Sequence, residues 1–272
     1  MSINGGIMIC DFSAVAFHVF GFPIYWYSLA YIFGIIIALK FTEFFFKKSN
    51  NIEALKYTDE FIGYIVFGII IGGRLGHVLF YDFSFYLENP LEIFKVWHGG
   101  MSFFGGFMGI VLASFLFCKK NRINFLKFMD IWSISVPIGL FFGRIANFIN
   151  GELLGKVSEA IPWFVVFKDG APRHPSQIYE AILEGLLLFF ILAVSFYKKQ
   201  YRFTGRLSGI FCLGYGLCRF IGELFREPDS FFSYQLHSKT GINLNQYMCF
   251  AILVLGTFLV YKSRSHDTCK TH

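Results

Sequence analysis

The sequence predicts an all-α integral membrane protein: seven transmembrane helices, the N-terminus outside and the C-terminus cytoplasmic, under a small external cap of loops. Three observations carry this. Of 272 residues, 55% are hydrophobic and only 15% charged, where soluble domains average about 25% charged. The apolar residues come in blocks of about 20, the length that crosses a bilayer as one helix. Basic residues are unequally shared between alternate loops, which sets the orientation.

Seven apolar segments fall at roughly 24–46, 61–81, 101–118, 128–149, 177–197, 207–225 and 247–261. Residues 1–22 carry no basic stretch ahead of their apolar residues, so the first hydrophobic helix is expected to serve as the insertion signal. Glycines recur in the second (Gly68, Gly72, Gly73, Gly76), third (Gly105, Gly106, Gly109) and fourth (Gly139, Gly143) segments. In lipid such glycines let helix backbones approach closely. The last segment is short, and gains length if its helix begins near Leu244. The longest non-apolar stretches, 82–100, 150–176 and 226–246, lie on the outer side. Residues 1–272 then form a single transmembrane domain with a short external head at about 150–176. The six cysteines form no CxxC pair and no zinc spacing. They read as small buried hydrophobes, and neither a metal nor a cofactor is expected.

Of the 24 lysines and arginines, fourteen fall in the first, third and fifth loops and the tail, and six in the opposite loops. The remaining four, Lys40, Arg74, Arg144 and Arg219, lie inside apolar segments. The net charge of +6 is therefore a topology signal with attraction to anionic lipid. The bilayer is the implied partner, and nucleic acid is not.

With that orientation, polar residues of six segments gather at the outer side. Arg144, Asn147, Asn150 and Glu152 end the fourth. Tyr215, Arg219, Glu223 and Arg226 form one stripe at helical spacing on the sixth. The second brings Arg74, His77 and Tyr81. The stretches 25-YWYSLAY-31, with Tyr27, 98-HGGMSFFGG-106, with His98, and 173-RHPSQIYE-180, with His174 and Gln177, begin their segments there. An ion within a membrane costs roughly 2.5–3.5 kcal/mol on the gentlest scale, so something anionic should compensate Arg74, Arg144 and Arg219. Glu223 is one candidate for Arg219 and Glu152 for Arg144, as buried ion pairs. A phospholipid phosphate is the other, since guanidinium forks match phosphate oxygens. Pro175 suits a first helical turn, whose N–H groups also favour an anion.

The blocks GGMSFFGG, GRIANFINGELLG, RHPSQIYE and GYGLCRFIGELFREPD, in this order, resemble those of the prolipoprotein diacylglyceryl transferases of the bacterial inner membrane, from Tyr25 to Tyr261. The resemblance implies transfer of the diacylglyceryl group of phosphatidylglycerol to the lipobox cysteine thiol of prolipoprotein signal peptides, with an active site toward the outer leaflet. It implies that Arg144 and Arg219 hold the headgroup and that Tyr27, Asn147, Glu152, Gly155, Tyr215 and Glu223 are also needed. Arg74, His174, Gln177 and Arg226 join the expected substrate-binding set. Two departures stand out. The external segment between Gly151 and His174 is short for the family's periplasmic head. The family's SFHGG is SFFGG here, placing Phe104 where the proposed thiol base would stand; the positive field of Arg144 and Arg219 is expected to favour the thiolate in its place, with His98, ahead of His77 and His174, as the candidate substitute base.

Two other readings are a phospholipid or anion transporter and a catalytically inactive lipid-binding homologue. A transporter would favour an internal repeat and polar residues continuing to the cytoplasmic side, and neither is visible in the sequence.

Overall fold

The computed structural model describes residues 8–9, 15–19, 22–51, 55–80, 82–96, 99–227, 238 and 240–268. Its helices stand where the apolar blocks predict them: α1 (Trp26–Lys48), α2 (Thr58–Phe80), a short α3 (Phe83–Glu88), α4 (Phe103–Lys120), α5 (Phe125–Asn150), α6 (Ser176–Tyr197), α7 (Arg206–Glu223) and α8 (Leu244–Thr268). Five of them, α1, α2, α5, α6 and α8, are long and apolar enough to cross a membrane. The other two expected segments are the 18-residue helices α4 and α7. Arg206, Arg219 and Glu223 give α7 three charges, which lower its apolar character below that of the other five.

Helices are not the whole fold. β1 (Met8–Ile9) pairs in parallel with β4 (Val165–Val166), which pairs antiparallel with β5 (Pro172–Arg173). β2 (Val15–Val19) and β3 (Phe22–Tyr25) form a hairpin. Strands of two to five residues are too short for an alternating pattern to register in sequence.

The chain packs as two compact units, Glu43–Phe128, and Met1–Thr42 with Met129–His272. In the first, glycines four apart on α2 meet glycines four apart on α4. A Cβ on Gly68 would lie 2.7 Å from the Gly109 carbonyl oxygen, and one on Gly76 would lie 2.6 Å from Gly105 Cα. The two backbones are in contact, so any side chain in this seam forces the helices apart. An aromatic cluster closes the lysine-rich end. Phe61 packs on Phe117 and Phe128 with ring centroids 5.0 and 4.9 Å apart, and Phe46 packs on Phe128.

In the second unit, α7 starts on an unusual cap. Buried Asp130 of α5 accepts from the Gly205 N–H (2.7 Å) and from the Ser208 N–H and hydroxyl (both 2.8 Å). A carboxylate from a neighbouring helix thus satisfies the positive end of α7. α8 begins at Leu244 with a reciprocal capping box: Asn243 N–H donates to Gln246 Oε1 (2.9 Å) and Gln246 N–H to Asn243 Oδ1 (2.8 Å). α6 is not uniform. Its residues Ala181–Leu187 form a π-helical turn, a geometry found mostly as single turns and frequently at functional sites. There Gly185 lies against Phe141 of α5, where an added Cβ would sit 2.6 Å from Phe141 Cβ.

Candidate active site

Arg144 of α5 and Arg219 of α7 are each 9% exposed, and both reach the π-helical stretch of α6. Arg144 donates from Nε (3.2 Å) and Nη2 (2.9 Å) to Glu184 Oε2, and its Nη1 lies 3.0 Å from Glu180 Oε2. Arg219 Nη1 donates to Glu180 Oε1 (2.8 Å) and Glu184 Oε1 (3.3 Å), while its Nη2 pairs with Glu223 one turn along α7. Arg226 Nη1 also reaches Glu180 Oε1, at 3.4 Å. Three guanidinium groups and three carboxylates therefore form one buried network. Its margin is polar as well: Asn243 Nδ2 donates to Glu223 Oε2 (2.9 Å) and Asn245 Nδ2 to Glu223 Oε1 (3.1 Å).

This network explains why the helices carry charge at that depth. Glu180 and Glu184 are fully buried, and burial of an ion is tolerated when partners surround it. Each guanidinium has five N–H groups. Arg144 uses one edge on Glu184 and one contact on Glu180, which leaves N–H capacity on both terminal nitrogens for a further anion. Tyr215 is buried one turn before Arg219, with its ring stacked on Phe211 at 5.8 Å.

The external segment is stitched to α7 by backbone. Lys156 N–H donates to the Phe225 carbonyl (2.9 Å), Glu227 N–H to Leu154 (3.1 Å) and His174 N–H to Lys156 (3.0 Å). Gly155 lies in the middle of this ladder, bridged to Arg226. A Cβ there would collide with the His174 carbonyl oxygen and sit 3.0 Å from His174 Cβ, so only glycine fits. Its carbonyl accepts from Arg173 Nη1 (2.8 Å). Burial opposes charge on Arg173, yet Glu227 and Asp169 outweigh it and raise its pKa. His174 is pushed the other way, by burial first and the Lys156 ammonium second, which favours neutral imidazole. Its Nδ1 lies 3.4 Å from the Tyr179 hydroxyl, which accepts from Trp163 Nε1 at 2.7 Å.

A model of the prolipoprotein diacylglyceryl transferase family matches residues 14–262. The chain is 42% identical over 254 residues to a phosphatidylglycerol–prolipoprotein diacylglyceryl transferase of Azospirillum brasilense, covering 92% of this chain and 94% of that one. It is 45% identical over 256 residues to the protein of that name from Rickettsia rickettsii (strain Sheila Smith), covering 93% and 97%. With that of Zymomonas mobilis it shares 42% over 270 residues, covering 96% and 93%. The chain belongs to the prolipoprotein diacylglyceryl transferase family.

The other predicted positions of this transferase-family chain are distributed as follows. Gln177 is fully buried; its Nε2 donates to the Glu152 carbonyl (2.7 Å) while its Oε1 has no hydrogen-bond partner among the described residues. Glu152 does not pair with Arg144: its side chain is exposed and accepts from Asn150 Nδ2 (3.3 Å). Glu184 and Glu180 take that place because α6, not the loop after α5, faces the guanidinium. Asn147 is buried one turn after Arg144, and its carbonyl accepts the Glu152 N–H (2.9 Å). Tyr27 lies in the first turn of α1.

Arg74 belongs to the Glu43–Phe128 unit, where it clamps a loop. Its Nε donates to the Ile93 carbonyl (2.9 Å), its Nη2 to those of Glu92 and Lys95, and its Nη1 to those of Gly99 and Gly100. The two glycines have φ of +83° and +73°, a turn conformation that β-carbons disfavour. Five carbonyls thus compensate the Arg74 charge. His77 pairs through Nε2 with Asp82 Oδ2 at 3.0 Å. Tyr81 and His98 lie outside the described residues, and Phe104 is placed by its backbone alone, as the second residue of α4.

Sequence reasoning passed over Glu184, Asn243 and Asn245. A single acid within AILEGLLLFF was the available signal for Glu184, because an unpaired carboxylate does not persist in an apolar membrane segment.

Proposed function

We propose that this protein transfers the diacylglyceryl group of phosphatidylglycerol to the lipobox cysteine thiol of prolipoprotein signal peptides. The cysteine sulfur attacks the glycerol carbon that carries the phosphodiester. The new C–S bond is a thioether, the C–O bond breaks, and its electron pair leaves on glycerol phosphate; the thiol proton passes to a base. The observation that carries this reading is the Arg144–Arg219 pair, buried from two helices and bridged by carboxylates, in a chain that matches the family over nearly its whole length. Fixed guanidinium N–H groups stabilise the charge that develops on a phosphate leaving group. The same reading puts the site toward the outer leaflet of the bacterial inner membrane, in one domain of seven transmembrane helices with the N-terminus outside; the fourteen-to-six division of basic residues supports that orientation.

Three carboxylates balance three guanidinium groups in the network, so its field alone gives little thiolate. A histidine base is favoured, with His98, His77 and His174 as the candidates and His174 held toward the neutral form. The test is purified protein with phosphatidylglycerol and a lipobox peptide. The peptide mass should rise by one diacylglyceryl unit, Arg144→Ala and Arg219→Ala should abolish the gain, and the lysine variants should recover part of it because a point charge lacks the fork. No mass gain with the unmodified chain would favour an inactive lipid-binding homologue.

A further inference from the structure

We infer that Glu184 is a positioning residue of the transfer reaction, holding Arg144 and Arg219 at a fixed separation by splitting one carboxylate between them. The inference rests on the reading that these two arginines hold the phosphate. Glu184 Oε2 takes two N–H groups of Arg144, and Oε1 takes Arg219. Glu180 also touches both, but it additionally meets Arg226. Glu223 meets Arg219 and the asparagines at the start of α8. Glu184 is thus the carboxylate whose described ion-pair partners are Arg144 and Arg219 alone.

Backbone geometry supports the assignment. Glu184 sits inside the π-helical turn Ala181–Leu187, which departs from the regular α ladder on either side. Gly185 beside it lets α6 press onto Phe141 of α5, three residues before Arg144. The carboxylate is fully buried and its rotamer is held between two helices, so both forks are oriented before substrate arrives. Preorganised donors are effective because they need no rearrangement as charge develops.

Glu184→Gln keeps the shape but presents an NH2 to one of the two guanidinium groups and leaves the network one positive charge in excess. We expect kcat to fall on the order of 10²-fold, the loss typical of misplaced groups, while KM for phosphatidylglycerol stays the same or falls. A misfolded fraction lowers apparent kcat at unchanged KM, so kcat is expressed per folded molecule, counted from the monodisperse fraction of each variant; a fall in that value marks positioning and not structural support. Glu184→Asp keeps the charge but withdraws the oxygens by one methylene, and should lose about tenfold in kcat at unchanged KM. The assays use full-length variants purified in detergent micelles, with Arg144→Ala and Arg219→Ala alongside. Wild-type kcat in Glu184→Gln or Glu184→Asp, or a raised KM at unchanged kcat, while the arginine variants are inactive, would overturn the role of Glu184. If the glutamine variant yields no folded protein, the aspartate variant decides by the same criteria. Activity in both arginine variants would overturn the arginine reading itself and this inference with it.

Discussion

Removing one charge from the network should cost more stability than removing a matched pair. Arg144→Met deprives Glu184 Oε2 of two donors and Glu180 Oε2 of its ion-pair partner at 3.0 Å, leaving two guanidinium groups against three buried carboxylates. Breaking a buried pair from one side costs roughly 3–5 kcal/mol, whereas replacing both partners by groups of similar volume is often neutral. Arg144→Met/Glu184→Gln restores the balance, with Arg219 and Arg226 against Glu180 and Glu223, and the amide carbonyl introduced by the second change can still accept from Arg219. At 1.4 kcal/mol per factor of ten, the single change should shift the folded-to-unfolded ratio by roughly 10²–10³-fold or more. The double variant should recover most of that. The assay is an SDS unfolding titration in mixed micelles, followed by tryptophan fluorescence, with transfer activity measured in parallel. Stability should return in the double variant and activity should not, because the fork itself is gone. Strictly additive costs, with the double variant less stable than Arg144→Met, would refute the view that these groups act as one neutral cluster.

The α2–α4 seam should reject any side chain: Gly72→Val is expected to abolish accumulation of folded protein, while Gly63→Ala, where an added Cβ meets nothing within 4 Å, should gain about 1 kcal/mol of helix propensity. Both are read by yield and SDS midpoint. If His174 supplies the base, the rate should fall only when acid protonates it, below the ordinary histidine value of about 6.5, since burial and Lys156 lower its pKa. Lys156→Met removes the second cause and should move the acid limb to higher pH, and His174→Gln should abolish transfer. An unmoved limb excludes His174 in favour of His77 or His98, tested as Gln variants alone and with Phe104→His. For orientation, a maleimide should label Glu159→Cys from outside intact cells and Lys198→Cys only after permeabilisation; the reverse would place the arginine network toward the cytoplasm.

Much of the fold was legible because a membrane imposes length and polarity together. Each long helix starts within three residues of its apolar block, and α8 begins at Leu244, with Asn243 and Gln246 as a readable capping box. Arg219 and Glu223 at i and i+4 announced their pairing. What escaped the sequence depends on tertiary facing. Arg144 meets Glu184 across 40 residues of chain, and Glu152, the nearer acid, points away. Arg74 seemed to need an anion because a carbonyl-lined loop cannot be read from residue types: every backbone offers the same oxygen, and only folding gathers five of them.

The network also sets a timetable for making the protein. Of the helices that carry the network, α5 leaves the ribosome first, with Arg144 made before any of its carboxylate partners. α6 follows with Glu180 and Glu184, α7 with Arg219 and Glu223, and the asparagines that complete Glu223 come only at the start of α8. A lone arginine at such depth opposes insertion by a few kcal/mol, a cost the apolar length of α5 can carry and that the carboxylates of α6 remove. The cluster is therefore complete only once four successive helices have been made, and a chain cut short before α6 would leave Arg144 without the carboxylates it meets in the full protein.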